Sequence, residues 1–467
     1  MTDPTSGPTP GAAESGEQPK RTSIVRVVSA SMIGTTVEWY DFFLYGSAAA
    51  LVFNKLFFPD YDPLVGVMLA FATYAIGFVA RPLGGLVFGH FGDKLGRKKL
   101  LVLSLLLMGV ATFLMGLLPT YATIGIAAPL LLIFLRLVQG FAVGGEWGGA
   151  VLIVSEHGDA KRRGFWASWP QAGVPAGNLL ATAVLAILAA VQSDAAFEAW
   201  GWRIPFLLSG VLVGIGLWIR LAVEESPVFV EAVKKAGDNP APEKAPILTV
   251  LRYNWRQVLI AMGARFGENA SYYVITAFVL TYLTTHLELP KSLGLNAVLI
   301  GSAVHFAVIP FWGWLSDVVG RRAVYLFGAI GMGVWAFVFF ALLDTASPLG
   351  TIVAVTVGLV LHGAMYSPQA AFFSELFGTK VRYSGASIGY QLASIAAGGL
   401  APLIATALLS STGASLAISL YVAATCAITI VAVYLAKETR GRSLVDEDGA
   451  DDAGETRPAD TGATIER

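Results

Sequence analysis

The chain has 467 residues, of which 55% are hydrophobic and 13% charged, and its formal net charge is −1. A soluble domain carries about 25% charge, so this composition, with a mean hydropathy of +0.66, excludes an ordinary soluble globule. The near-zero balance says little, because the charges are segregated along the chain rather than absent, and the lone cysteine, Cys426, excludes a disulfide within the chain.

A membrane-spanning helix needs roughly 20 apolar residues. Residues 1–27 are polar and rich in Gly, Pro, Thr and Ser; they read as a disordered tail without a cleavable signal. Six apolar runs follow, at 29–53, 65–90, 98–118, 127–155, 165–191 and 203–223, forming a first bundle over 28–223. The stretch 224–253, rich in Glu, Lys, Pro and Ala, is the one long polar interior segment and reads as a linker. Six more runs, at 257–284, 293–316, 322–343, 350–374, 384–410 and 415–436, form a second bundle over 254–437. The acidic tail 438–467 lacks apolar periodicity and is expected to be disordered. The predicted fold class is an all-α membrane protein of twelve transmembrane helices in two pseudo-symmetric six-helix bundles.

Two copies of a short motif support that duplication. Gly89-His90-Phe91-Gly92-Asp93-Lys94-Leu95-Gly96-Arg97-Lys98 and Gly313-Trp314-Leu315-Ser316-Asp317-Val318-Val319-Gly320-Arg321-Arg322 both read G-x-x-x-D-x-x-G-R-[KR], and both join two long apolar runs. Ser155-Glu156 with Arg163 is matched by Ser374-Glu375 with Arg382, and Glu225-Ser226 more weakly by Glu438-Thr439. Three markers in the same order in two halves are the usual construction of a secondary transporter. Basic residues such as Lys94, Arg97, Lys161, Arg163, Arg321 and Lys380 fall on one side of a twelve-span layout, against little beyond Lys55 and Lys291 on the other. Both termini and the linker are therefore predicted to be cytoplasmic, in the plasma (inner) membrane. The Trp200–Phe206 segment sits where an interfacial aromatic anchor would. Glycines at 84, 85, 89, 140, 144, 145, 148 and 149 would let helix backbones approach closely.

These motifs resemble those of the major facilitator superfamily over residues 25 to 440. Within it, Glu38-Trp39-Tyr40-Asp41-Phe42, Phe78-Val79-Ala80-Arg81-Pro82-Leu83-Gly84-Gly85, Gln139–Trp147 and Trp200–Phe206 resemble the metabolite:proton symporter family. The seventh span, with Arg265, Glu268, Tyr273 and Thr276-Ala277-Phe278, is similar to the shikimate-transporter branch. The betaine and proline branch is similar too, but its osmosensing members carry a long helical C-terminal extension, and this tail has no heptads.

Charges inside the spans carry the functional reading, because each is costly in hydrocarbon. Depth places Asp41 with Arg136, and Arg81 with Glu146; Glu38 lies on the same helix face as Asp41. Asp41, Glu38, Arg136 and Glu146 are the candidates for proton coupling, and the family resemblance implies that the first-span acid and fourth-span arginine form the coupling pair. Arg81, Arg136 and Arg265 are candidates to hold an anion, since a guanidinium binds a carboxylate bidentately. Glu268, Asn269, Tyr273, Tyr40, Gln171 and Gln391 are the further candidates for the cavity wall. Arg265 and Glu268, three apart, can also satisfy each other along one helix. His305 and His362 are read as packing or weak polar contacts. Asp93, Arg97, Glu156 and Arg163 are expected to close the cytoplasmic end of the first bundle, and Asp317, Arg321, Glu375 and Arg382 that of the second.

No H-E-x-x-H, G-x-S-x-G, Cys-rich cluster or Walker loop is present in the sequence, so neither an enzyme nor an ATP-driven pump is expected. The expected function is a proton-coupled symporter for a small organic acid, with no cofactor, no metal and no nucleic-acid partner, working as a monomer in the bilayer. The alternatives are betaine or proline uptake and an exporter of the same fold.

Overall fold

In the computed structural model, residues 24–95, 97–144, 154, 160–222, 252–377 and 382–442 are described. Twelve long helices cover most of them: α1 (Ile24–Ala48), α2 (Pro63–Leu95), α3 (Arg97–Leu117), α4 (Ala127–Val143), α5 (Arg163–Val191), α6 (Arg203–Ala222), α7 (Trp255–Tyr273), α8 (Lys291–Val319), α9 (Arg321–Leu343), α10 (Pro348–Leu376), α11 (Arg382–Ala393) and α12 (Ser415–Leu435). Helix α11 continues through a π-helical turn, Ser394–Gly399, into a second segment, Ala401–Thr412. No strand occurs among the described residues.

Among the described residues, seven helical stretches are long and apolar enough to cross a membrane, and an eighth if the bent pair Asp194–Gly201 and Arg203–Trp218 counts as one. Helices α1, α3, α4 and α7 fall outside that set; α1 carries Glu38 with Asp41, and α7 carries Arg265 with Glu268. Apolar residues line both sides of the spans. On α9, Phe327, Ile330, Val334 and Phe337 point outward at helical spacing while Val324, Tyr325, Met332 and Phe339 are buried. A helix apolar all round has hydrocarbon outside as well as inside.

The helix contacts repeat between halves. In the first half α1 packs on α5 and α6, α2 on α4, and α3 on α4 and α6; in the second, α7 packs on α11 and α12, α8 on α10, and α9 on α10 and α12. The two halves meet along α5 with α8 and α2 with α11, which are equivalent contacts under the same duplication. Gly173 of α5 faces Met32 and Thr35 of α1, and Gly177 faces Thr36 and Tyr40, so these two helices run parallel. The N-terminal ends of α1 and α5 therefore share one end of the molecule. Arg442, which follows α12, lies there too, because its carbonyl accepts from Arg163 Nη1 at 3.0 Å. We call this the terminal end and the opposite one the far end.

Two sequence expectations change here. Trp202 is buried against Phe53, Phe57 and Phe206 and is a core residue, while Trp200 is exposed as an anchor would be. Glu438–Arg442, assigned by sequence to the tail, instead packs on the terminal end, where Glu438 accepts from the backbone of Arg321 and Arg322. Residues 224–251 and 443–467 lie outside the described residues.

Helices α2 and α4 cross at backbone contact. A Cβ on Gly84 would lie 1.8 Å from the Phe141 carbonyl oxygen, one on Gly140 2.0 Å from that of Gly77, and one on Gly144 1.9 Å from that of Arg81. Backbone cannot swing aside as a side chain can, so Gly140→Val must pry the helices apart. It is expected to lower stability by at least about 2 kcal/mol. Gly214→Ala on α6, where no heavy atom lies within 4 Å, should leave it unchanged; thermal unfolding of the two purified variants in detergent compares them.

Candidate functional site: a central charge cluster between two end contacts

The centre of the first half is built on Arg81 and Arg136, both buried. Arg81 Cζ lies 4.4 Å from the Phe42 ring centroid and 4.3 Å from that of Phe78. Arg136 Cζ lies 4.7 Å from Phe42, 4.3 Å from Tyr45 and 4.7 Å from Tyr74. Phe42 is thus held between two guanidiniums, each stabilised by ring faces. Nε and Nη2 of both arginines make no hydrogen bond. The aromatic group continues into the second half, with Tyr273 centred 5.6 Å from Phe78 and 6.0 Å from Tyr74, and Tyr272 5.4 Å from Phe43.

The predicted Asp41–Arg136 ion pair is not made. Asp41 is 1% exposed, and neither carboxylate oxygen has a hydrogen-bond partner. Its polar neighbour is Thr112 of α3, whose hydroxyl donates to the Met108 carbonyl at 2.9 Å and accepts from Gln139 Nε2 at 2.8 Å. Arg136 in turn donates from Nη1 to Gln139 Oε1. Arg136 is drawn over the rings of Phe42 and Tyr45 and bonds Gln139, which reaches Thr112, the polar neighbour of Asp41, without a bond to the acid itself. Glu38 is buried on α1, and Glu146, the predicted partner of Arg81, lies outside the described residues.

In the second half Arg265 and Glu268 do meet along α7, with Nη1 3.7 Å from Oε2. Arg265 also donates to Gln369 at 2.7 Å and Asn269 at 3.0 Å, and its Cζ lies 3.4 Å from the Tyr390 ring centroid. His305 and His362 are more than packing. His362 Nε2 lies 3.1 Å from Glu268 Oε1, and His362 Nδ1 lies 3.1 Å from His305 Nε2. Sequence reasoning missed this row because its three members come from α7, α8 and α10.

Of the other expected wall residues, Gln171 bonds across the halves to the Tyr366 carbonyl at 3.2 Å, and Gln391 to that of Gly144 at 3.2 Å. Tyr40 turns away: its hydroxyl donates to the Pro205 carbonyl at 2.8 Å, inside the first bundle. Asn178, another polar residue expected in the wall from the sequence, donates across the halves to Ser302 at 3.0 Å.

At the terminal end, Asp317, Arg321 and Glu375 cluster as expected. Arg321 bonds Asp317 at 2.6 Å and Glu375 at 3.1 Å. Arg163, assigned by sequence to the first bundle's own cluster, instead crosses to Glu375 at 2.8 Å. Asp317 accepts from the backbone of Gly164 at 2.9 Å and Phe165 at 2.8 Å, at the start of α5. The second-half charges therefore clamp the first half, and the separate closure of each bundle gives way to one shared contact. Gly164 and Gly313 permit it, since a Cβ on either would lie within 2.7 Å of the other's carbonyl oxygen. Glu438, beside the start of α9, is pushed up by burial, but amides of Arg440, Arg321, Arg322 and Thr439 outweigh this and hold its pKa below the usual carboxylate range. Glu156 and the side chains of Asp93, Arg97 and Arg382 lie outside the described residues.

A family model described as sugar (and other) transporter matches residues 27–448. The chain belongs to the major facilitator superfamily of transporters. It is 41% identical over 417 residues to the shikimate transporter of Escherichia coli K12, covering 89% of this chain and 95% of that one. It is also 41% identical over 424 residues to the inner membrane metabolite transport protein YhjE of the same organism, covering 90% and 95%. A proline/betaine transporter of E. coli K12 is 34% identical over 425 residues, covering 90% of this chain and 84% of that one. These relatives place it in the metabolite symporter branch that its motifs resemble, and it is a multi-pass membrane transporter rather than an enzyme. The crystal structure of a D-xylose-proton symporter has the same fold, with a TM-score of 0.72 at 17% identity, covering 91% of this chain and 100% of that one.

The two end contacts differ in what loosens them. Asp317→Asn removes a charge shared by two amides and a guanidinium. Spin labels at Lys161 and Val319 are expected to report an added, longer distance in that variant, and an unchanged distribution would show that the carboxylate does not hold the halves together. At the far end Lys291 meets Asp194 at 2.6 Å. This hydrogen bond and the ammonium charge hold the Asp194 carboxyl below the usual carboxylate range. The contact is fully present above the ordinary carboxylate pKa and is lost as pH falls through the lowered value. Labels at Ala195 and Asn296 should therefore keep their separation from about pH 8 to 5 and part only below about pH 4.

Proposed function

We propose that this transporter carries a small anionic metabolite together with protons, by alternating closure of its two ends. The observation that carries the reading is the pair of central guanidiniums, Arg81 and Arg136, held by aromatic rings, with Nε and Nη2 of each making no hydrogen bond. Planar guanidiniums in a dry site favour a carboxylate ligand. The neighbouring Tyr273, Gln171 and Gln391 add polar atoms for a hydroxylated ring acid or a dicarboxylate, and the identity to a shikimate transporter supports that class. Arg265, Glu268 and Asn269 extend the site into the second half.

Asp41 is the proposed proton carrier in the first half, and Glu38 of the same helix and Glu146 are the further candidates. A charged carboxylate with both oxygens unpartnered would be costly in this interior, whereas the neutral acid fits it. Gln139 bonds both Arg136 and Thr112, the polar neighbour of the acid, so displacement of Arg136 by an anion changes the polar surroundings of Asp41. The terminal end is assigned to the cytoplasm, since Lys161, Arg162, Arg321 and Arg322 cluster there, and the membrane to the bacterial inner membrane. A second reading, uptake of betaine or proline, draws on the aromatic rings, which would cage a quaternary ammonium equally well, and on the 34% identical relative.

In proteoliposomes with an inward proton gradient, labelled shikimate or a dicarboxylate is expected to accumulate. Asp41→Asn should abolish accumulation while keeping exchange at a tenth or more of the wild-type rate, and Arg81→Ala or Arg136→Ala should weaken carboxylate binding at least about tenfold, the loss of one charge-assisted contact. Strong betaine binding with carboxylate affinity unchanged in the arginine variants would establish the second reading instead.

A further inference from the structure

Glu268, His362 and His305 are three buried titratable side chains on three helices, joined end to end by two contacts of 3.1 Å. The outer nitrogen of the row, His305 Nδ1, is buried and without a partner. The hydrogen count assigns the tautomers. The carboxylate needs a donor, so His362 carries its hydrogen on Nε2; His362 Nδ1 then accepts, so His305 carries its hydrogen on Nε2 and presents a bare Nδ1.

We propose that this row is a second proton carrier, in the C-terminal half, and that it decides whether Arg265 is free to hold the transported anion. The proposal rests on the transport reading above. A proton entering at His305 Nδ1 forms an N–H bond there. The His305 Nε2 proton passes to His362 Nδ1, and the His362 Nε2 proton passes to Glu268 Oε1. Both imidazoles end neutral in exchanged tautomers, and Glu268 ends as a neutral acid. One proton has entered, and one negative charge has gone.

That loss matters to Arg265. Glu268 is its carboxylate partner, at 3.7 Å. The remaining neighbours are the neutral acceptors Gln369, Asn269 and Ser394 and the ring of Tyr390. Gln369 reports on both sides, since its Nε2 donates to Glu268 Oε2 at 3.3 Å and to the Tyr325 hydroxyl at 2.8 Å while its Oε1 accepts from Arg265. Once Glu268 is neutral, Arg265 is a buried cation without a counter-ion, and a ligand carboxylate restores the balance. Proton and anion then favour each other's binding, which is the thermodynamic requirement for carrying both in one direction. The other groups that face the row are the phenols Tyr272, centred 4.6 Å from His362 and 5.8 Å from His305, and Tyr366, centred 5.4 Å from His362. Neither adds a charge near neutral pH, so Arg265 is the charged neighbour that the row controls.

Infrared difference spectra of the reconstituted, ligand-free protein test this without knowledge of the substrate. As pH falls from about 8 to 5, the carbonyl stretch of neutral carboxyl groups is expected to grow. Glu268→Gln should remove one part of it and Asp41→Asn another. Glu268→Asp, which keeps an ionisable group, should retain the first part, and His362→Gln should move its midpoint by at least one pH unit. In the wild type, shikimate as probe should bind at least tenfold tighter at the acid end, and Glu268→Gln should reduce that dependence, leaving the part that Asp41→Asn removes. A spectrum unchanged in monodisperse Glu268→Gln would show that Glu268 stays ionised, and the row would be a fixed ion pair. If Glu268 takes up a proton but the wild type accumulates no carboxylate under a proton gradient, the transport reading fails and the proton row stands. If uptake is proton-driven and the Glu268 band is missing, the row fails and the transport reading stands.

Discussion

A guanidinium stripped of water must find compensation, and the interior of this protein is arranged around three that are. Insertion into hydrocarbon costs at least about 2.5 kcal/mol for an arginine at a helix centre. Arg265 meets the demand with a carboxylate, two amide oxygens and a ring face. Arg81 and Arg136 meet it largely with rings, sharing Phe42 between them. The aromatic group in the middle of the molecule is therefore more than apolar filling. It is the solvent of two cations, and it is also where the halves touch, through Tyr272 and Tyr273.

Movement has to respect the same map. Within the first half, α2 and α4 meet backbone to backbone at Gly84, Gly140 and Gly144, a contact that cannot slide without losing its fit. Between the halves the contacts are of another kind. Beside the central rings and the close approach of Gly164 and Gly313, they are single hydrogen bonds such as Asn178 to Ser302 and Gln391 to Gly144, and charge-assisted bonds such as Arg163 to Glu375. Each of these groups can be satisfied by water when the halves part. Rigid bundles with a polar, re-solvatable seam suit a transporter that opens one end at a time.

Much of this was legible in the sequence, and the limits have a common physical origin. Apolar run lengths and the doubled G-x-x-x-D-x-x-G-R motif led to twelve helices in two bundles, and the second motif's Asp317 and Arg321 do meet Glu375 at the terminal end. Residue number along a helix gives depth, so Asp41 and Arg136 were matched by level. It does not give azimuth between packed helices, and azimuth turned Arg136 toward Phe42 and Tyr40 toward Pro205. The Arg265–Glu268 contact was readable because both residues share one helix. Glu268, His362 and His305 share none, so nothing in the sequence marked them as neighbours; the available signal was a pair of histidines in otherwise apolar spans. Arg163 crossed between bundles for the same reason, since the motif spacing fixes the end of the molecule but not the side of the seam.

The duplicated motif has one more consequence. Counting back eight residues from its first glycine gives Arg81 on α2 in one half and His305 on α8 in the other. The repeated scaffold thus offers one and the same station twice, filled once by a cation that never lets go of its proton and once by a base that can. A gene doubled in this way starts with two identical machines. Divergence at that single station is enough to make one half the permanent holder of charge and the other the half able to change it.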